Sequence, residues 1–297
     1  MTVREIFEDI KSERKKKIVL DTDAFNEIDD QFAIAYCLGS KKMDLLAICA
    51  EHYMHELCDN RAKGMEQSYN EILKVCELAG NSSVPVLRGS TDTIDAAGAA
   101  VESEAADQII KLAHHTDDII YVLAIGAITN VVSAIMKDPS IKEKICVIWL
   151  GGNQLDWPHT GEYNLDQDKK GGQFLLDCGV PVVLVPACNV TSVLRFPIED
   201  FMLLRGHGKL CDYLAYLGED RWKMVGSYPE WRRTLWDIAA PAVIETPEAL
   251  EFEIVHTPII TDESTYAFDD SRHEMIIVTK IDRDPVAEKA WEIIKGD

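Results

Sequence analysis

The sequence predicts an α/β fold with an open, mostly parallel (mixed) central sheet and helices on both faces, built by residues 1–297 as a single domain. Three observations carry this reading. Short apolar, β-branched runs alternate with longer segments of helical periodicity, the signature of strand–helix–strand units. A 47% apolar content is ample for one substantial core. No internal repeat, low-complexity tract or linker divides the chain.

Taken in order, residues 1–13 form a short amphipathic helix with Val3, Ile6, Phe7 and Ile10 on one face. Ile18 to Leu20 read as a buried strand. From Ile28 onward Phe32, Ala33, Ile34, Tyr36 and Cys37 recur near helical spacing, which places Asp29 and Asp30 in a first helical turn. Residues 43–52 are a second strand ending in Glu51 and His52, followed by a helix over 59–78 and a short strand at 84–90. The Ala-rich stretch 95–114 reads as one helix. A strand at 117–126 precedes a helix at 127–138, and a strand at 145–153 runs into a long polar loop. Helix 171–179 and strand 180–186 follow, then a helical pattern from 198 to 250 broken at Gly206 and Gly208. Residues 252–260 and 275–281 read as a late hairpin pair, and 285–296 as a closing helix.

The balance of 30 basic against 51 acidic residues gives a net charge of −21. That field repels phosphate backbones and anionic lipid, so nucleic acid and membrane surfaces are excluded as partners, and small neutral or cationic ligands are favoured. Residues 1–17 hold no apolar core of signal-peptide length, and no later run reaches membrane-spanning length. The eight cysteines lack CxxC spacing and lie mostly in apolar segments. They read as reduced thiols, and the expected location is cytoplasmic.

Chemistry concentrates first between residues 21 and 30, where Asp21, Asp23, Glu27, Asp29 and Asp30 follow the first strand. Carboxylates so crowded repel one another unless a cation neutralises them, and hard oxygen donors suit Ca²⁺ or Mg²⁺. In open α/β sheets this edge, outside the carboxyl ends of the strands, is where ligands bind. Gly126 ends another strand there, so the Ile125 carbonyl points to the same edge; taken alone, that turn reads as an ordinary one capped by Thr129 or Asn130. The loop from Gly151 to Asp168 mixes Asn153, Asp156, Glu162 and Asn164 with Trp157 and Tyr163, which suits a polyhydroxylated sugar or a solvated acidic loop equally. Asp237 interrupts an apolar helical stretch, a costly position unless it caps, pairs with Arg232 or Arg233, or binds a metal. Trp236 beside it is by default core. His52 and His55 read as surface or hydrogen-bonded groups rather than catalytic ones.

Together these segments resemble the nucleoside hydrolase family, the inosine–uridine-preferring type and its relatives. The resemblance rests on Asp21-Thr-Asp23 with Asp29-Asp30, Gly126-Ala-Ile-Thr-Asn130, Gly151-Gly152 leading to Glu162-Tyr-Asn164 and Asp168, Val185-Pro186 with Val190-Thr191, and Asp237-Ile-Ala-Ala-Pro241, all in family order. It implies hydrolysis of the N-glycosidic bond of ribonucleosides, a nucleoside hydrolase-like sheet, and a homodimer or homotetramer. By the same resemblance Asp23, Asp30, Asp237 and the Ile125 carbonyl would bind Ca²⁺, and Asp23 would be the base acting on a calcium-bound water. Asp29, Glu162 and Asn164 would grip the ribose, with Asn153 and Asp156 from the same loop beside them, and Asp21 would stand behind the ligands.

Two departures are specific to this chain. The loop Ala24-Phe-Asn-Glu-Ile28 is two residues longer than the family's and has neither Pro nor Gly, which brings Asn26 and Glu27 toward the site. Where the inosine–uridine group has a His before the late Asp, this chain has Trp236. That resembles the purine-preferring members, which stack the base and activate it without a dedicated acid, so Trp236 is expected to act in both binding and catalysis. Two alternatives stay open on the residues alone: a calcium-dependent nucleoside-binding protein without turnover, and a phosphatase using Asp21 as nucleophile.

Overall fold

The computed structural model describes residues 2–56 and 58–296. Helix α1 (Val3–Lys11) starts under a capping box between Thr2 and Glu5 and buries Ile6 and Ile10. There follow β1 (Lys16–Thr22), α2 (Asp29–Gly39), β2 (Met43–Ala50), α3 (Arg61–Leu78), β3 (Val86–Leu87), α4 (Ile94–Ala97) and α5 (Glu104–His114). The middle of the chain supplies β4 (Ile120–Ala124), α6 (Thr129–Lys137), β5 (Ile145–Leu150), α7 (Tyr163–Gln167), α8 (Lys169–Asp177) and β6 (Val182–Val185). Then come β7 (Arg195–Pro197), α9 (Ile198–Met202), α10 (Lys209–Met224), β8 (Arg232–Thr234), α11 (Ala239–Glu245) and β9 (Leu250–His256). The chain closes with β10 (Ile259–Ile260), β11 (Tyr266–Ala267), β12 (Glu274–Ile281) and α12 (Arg283–Lys295).

Eight strands form one sheet in the order β3-β2-β1-β4-β5-β6-β12-β9. Every pairing is parallel except β12 with β9, so the sheet is mixed and mostly parallel, as expected. The late hairpin pair is this antiparallel contact, with the small β10–β11 ladder between its arms. Alternate residues along the central strands face opposite layers. Ile18, Leu20, Tyr121, Leu123, Ile148 and Leu150 join the core under α1, α2, α11 and α12. Val19, Ile120, Val122, Val147 and Trp149 join the second core under α5, α6 and α8. Strands covered on both faces explain the near-continuous apolar runs. The eight cysteines are thiols, buried or half-buried, and no helix among the described residues is long and apolar enough to cross a membrane.

Three stretches differ from the sequence expectation. The Ala-rich stretch 95–114 is two helices, because Gly98 adopts φ 64 at the end of α4 and Ser103 caps α5 anew. The polar loop after β5 contains α7, capped by Glu162. The helical pattern from 198 to 250 is interrupted after α10, where Gly226 and Ser227 turn with φ 94 and φ 57. Residues 232–234 then pair with β7 as a strand, and Trp236–Ile238 form a single 3-10 turn. Asp237 therefore sits on a turn, not inside a helix.

Candidate active site

From β1 the chain moves outward through β2 and β3, then returns to the other side of β1 as β4. Loops leaving β1 and β4 must diverge at this switch point, and the crevice between them is the natural ligand site of an open sheet. A cavity of about 890 Å³ opens there, within the usual range for small-molecule sites. Asp23, Asn26, Glu27, Asp29, Asp30, Ile125, Asn153, Glu162, Asn164, Trp236 and Asp237 all line it.

Local structure explains how the acids reach it. After β1, the Asn26 N–H donates to the Asp23 carbonyl at 3.2 Å and Phe25 turns with φ 92. That conformation is the one glycine adopts without strain, and here a phenylalanine carries it. Helix α2 then starts without a side-chain cap, leaving Asp29 and Asp30 among its free N–H groups. Gly126, in the turn after β4, permits the close approach of that turn to the end of β1: an added Cβ would lie 3.1 Å from the Asp23 nitrogen.

Asp29, Asp30 and Asp237 are buried, and each offers a carboxylate oxygen lying within 4.8 Å of the others. Among the described residues no other group of His, Cys, Asp or Glu is so placed to hold a metal ion. The Thr22 hydroxyl donates to Asp30 at 2.5 Å, and the Trp236 N–H to Asp29 at 3.0 Å. Burial first, then the Asp30 and Asp29 charges, raise Asp23 well above the usual carboxylate range. Burial, then Asp29, pushes Asp30 up to about 8. Asp237 is driven up by burial and by the same neighbours. Asp29 rises only to about 6, because the Arg233 guanidinium opposes its burial. Hard oxygens that desolvate and repel one another in this way fit a divalent cation, which would displace their protons.

On the opposite wall Glu162 caps α7, accepting from the N–H groups of Asn164 and Leu165 at 3.0 Å and of Gly152 at 2.9 Å. Burial of its carboxylate nevertheless pushes it up to about 7. Asn164 donates to the Leu150 carbonyl at 3.0 Å. Asn153 donates to the carbonyls of His159 at 3.2 Å and Gly161 at 2.9 Å. That grip ties residues 159 and 161 back to Asn153 and closes the loop. Asp156, expected at the sugar, is exposed and does not line the cavity.

Asp21 lies behind the cavity, fully buried, accepting from Asn130 at 2.9 Å. Asp168 is a structural acid: it accepts from Gly171 at 3.0 Å as the cap of α8, and from Ile94 and Thr129 at 2.9 and 2.6 Å. His52 is buried against the Thr129 hydroxyl at 3.0 Å. His55 stacks on Tyr53, ring centroids 5.3 Å apart, at the cavity wall. The sequence reading missed the partners of Glu27, which meets Arg233 at 2.6 Å and Arg221 at 3.6 Å. It also missed Tyr213, Leu217 and Met224, which α10 brings to the outer wall. Tertiary packing alone brings these groups together, and no local pattern announces them.

A family model described as inosine-uridine preferring nucleoside hydrolase matches residues 18–288. The pyrimidine-specific ribonucleoside hydrolase RihA of Escherichia coli is 21% identical, over 90% of this chain and 94% of that one. The probable uridine nucleosidase 2 of Arabidopsis thaliana is 23% identical over 75% of this chain and 73% of its own. Among solved structures, the purine-preferring ribonucleoside hydrolase from Gardnerella vaginalis superposes with a TM-score of 0.76 at 21% identity, covering 95% of this chain and 98% of that one. At that identity the structural likeness establishes the fold.

Proposed function

This chain belongs to the inosine-uridine preferring nucleoside hydrolase family of N-glycosyl hydrolases, and on that premise we propose that it is a calcium-dependent, purine-leaning ribonucleoside hydrolase. The observation that carries the metal is the buried cluster of Asp29, Asp30 and Asp237 at the sheet's switch point. Asp30, Asp237, Asp23 and the Ile125 carbonyl would hold the ion. Asp29 stands in the clustered trio where the resemblance names Asp23; with one oxygen on the Trp236 N–H, it would offer the other to ion or ribose. When bound, calcium supplies charge that makes a nearby water more acidic and orients a ribose diol.

The protein's own groups do the remainder. Asp23 takes the proton from the attacking water. Glu162 and Asn164, fixed by their own backbone hydrogen bonds, grip the ribose hydroxyls with Asp29. The surrounding carboxylates favour the oxocarbenium-like charge that grows on the sugar as the base departs. Water delivered opposite the leaving base inverts the anomeric carbon.

Relatives named for pyrimidines and for purines flank this chain, so base preference rests on its own wall. Trp236, Tyr53 and Tyr163 line the cavity, and its volume admits a bicyclic base against these π-faces. A panel of ribonucleosides tests this: inosine, adenosine and guanosine should show higher kcat/KM than uridine and cytidine, and the reverse order would refute the purine lean. Nucleoside binding without release of base would leave the non-catalytic reading in its place. The homodimer or homotetramer implied by the family is part of the same proposal. It is supported by exposed Tyr216, Met224, Val225 and Tyr228 on and after α10, and light scattering checks it.

A further inference from the structure

We propose that Asn130 is a positioning residue for the hydrolysis: its side-chain amide sets where the end of β1, carrying Asp23, sits relative to the end of β4, carrying the Ile125 carbonyl. The inference rests on the reading of Asp23 as the base and adds a residue that neither touches substrate nor lines the cavity.

Asn130 lies in the first turn of α6 and is completely buried. It does not cap that helix, whose start at Ile128 has no side-chain cap. Its amide instead turns back across three strand ends. Nδ2 donates to Asp21 Oδ1 at 2.9 Å and to the Ala50 carbonyl at 3.1 Å, so both of its hydrogens are used. Oδ1 accepts from the Ser90 N–H at 2.7 Å and the Ser90 hydroxyl at 2.9 Å. The orientation is therefore forced, since a flipped amide would oppose donor to donor at the Ser90 N–H and acceptor to acceptor at the Ala50 carbonyl. The backbone N–H of Asn130 donates to Glu51 at 2.6 Å, which ties in the residue after β2. The chain around Gly89 passes so close that an added Cβ there would lie 1.8 Å from the Ala50 oxygen and 2.5 Å from Asn130 Nδ2.

The consequence for the site follows from strand geometry. Asp21 is the last residue but one of β1 and Asp23 follows the strand's end directly, so what fixes Asp21 fixes the backbone that carries Asp23. The Ile125 N–H donates to the Asp21 carbonyl at 2.8 Å, and Gly126 presses on Asp23. The turn between β4 and α6 is thus joined to β1 at two levels, Gly126 on Asp23 and Asn130 on Asp21. Base and carbonyl ligand come from different strands, and this joint spaces them. A displacement of about 1 Å at such a site costs on the order of a hundredfold in rate.

The test exchanges the two partners. Asn130→Asp keeps the shape and the Ser90 hydrogen bonds but removes both Nδ2 donations, to Asp21 and to the Ala50 carbonyl. It should lower kcat about a hundredfold with KM little changed, and weaken calcium affinity by about tenfold in titration calorimetry. The double variant Asp21→Asn/Asn130→Asp restores a donor–acceptor pair with its sense reversed, at the loss of the Ala50 contact. It should recover kcat to within about tenfold of wild type. Wild-type kcat and calcium affinity in Asn130→Asp would overturn the proposal. So would a double variant of wild-type melting temperature that stays as slow as the single. If Asn130→Asp does not fold, a double variant of wild-type melting temperature whose kcat stays about a hundredfold below wild type overturns the proposal, and one within about tenfold upholds it. Asp23→Asn, run alongside, separates the two readings: full turnover in it removes Asp23 as base, and calcium affinity in Asn130→Asp then upholds or overturns Asn130 alone.

Discussion

Two groups of buried acids lie at the same edge of the sheet and are treated in opposite ways. Behind the cavity, Glu51 accepts two backbone N–H groups, from Asn130 at 2.6 Å and His52 at 3.0 Å. Asp168 accepts two backbone N–H groups and the Thr129 hydroxyl. In the cavity, the Asp23 carboxylate has one distant donor, Asn26 at 3.5 Å, and Asp237 has no hydrogen-bond donor among the described residues. Buried polar groups are ordinarily satisfied. Glu51 and Asp168 are finished by the protein and hold the fold, while Asp21 beside them accepts from Asn130 and leaves its other oxygen unpaired among the described residues. Asp23 and Asp237 are left unfinished, an arrangement that a bound cation would complete.

The largest effect that could break this contrast is on turnover. Asp237→Ala should abolish ribose release, by at least about a thousandfold, while leaving the melting temperature in EGTA unchanged or raised, because one repelling carboxylate is gone. Asp168→Ala should do the reverse. Loss of its three hydrogen bonds should cost about 2–4 kcal/mol of stability, read from denaturant unfolding, with turnover of the folded enzyme kept within severalfold. If the two variants exchanged these phenotypes, the division between unfinished and finished acids would be wrong.

A second effect, in stability, sharpens the contrast through pH. Burial raises Asp29 to about 6, Glu162 to about 7 and Asp30 to about 8. These groups keep protons in the folded protein that the unfolded chain gives up near pH 4, so the folded state binds more protons between those limits. In EGTA the melting temperature should therefore fall as pH rises from about 4 to about 8. Excess calcium competes with the same protons, so its stabilising shift should grow over that interval. A calcium shift independent of pH would place the ion elsewhere.

The smallest effect concerns the long loop. Phe25 holds φ 92 with its ring half exposed, so it contributes strain and little packing. Phe25→Gly should raise stability by up to about 1 kcal/mol, measured by thermal unfolding, and a loss instead would show that the ring contacts matter more than the backbone.

Much of this was legible in the residues, and the pattern of success is physical. Parallel strands covered on both faces are apolar throughout, so β1, β4, β5 and β6 stand out, and an acid cluster directly after such a strand falls at the ligand edge by geometry alone. Asp156 did not reach the cavity, because loop composition carries no information about which way a side chain faces once Asn153 closes the loop. The turn at Asp237 was hidden because β8 exists only through pairing with β7 in a distant segment. Asn130 looked like a helix cap, since a local pattern cannot show that its amide spans three strands. The Glu27–Arg233 pair was invisible for the same reason.

The central claim is that the unfinished carboxylates become a calcium-dependent hydrolytic site with Asp23 as its base. The most direct measurement is release of free ribose from a purine ribonucleoside, with and without EGTA, for wild type and Asp23→Ala. Wild type should release ribose that EGTA stops and added calcium restores, and Asp23→Ala should release none. Ribose release that persists in EGTA, or in Asp23→Ala at the wild-type rate, would contradict the claim.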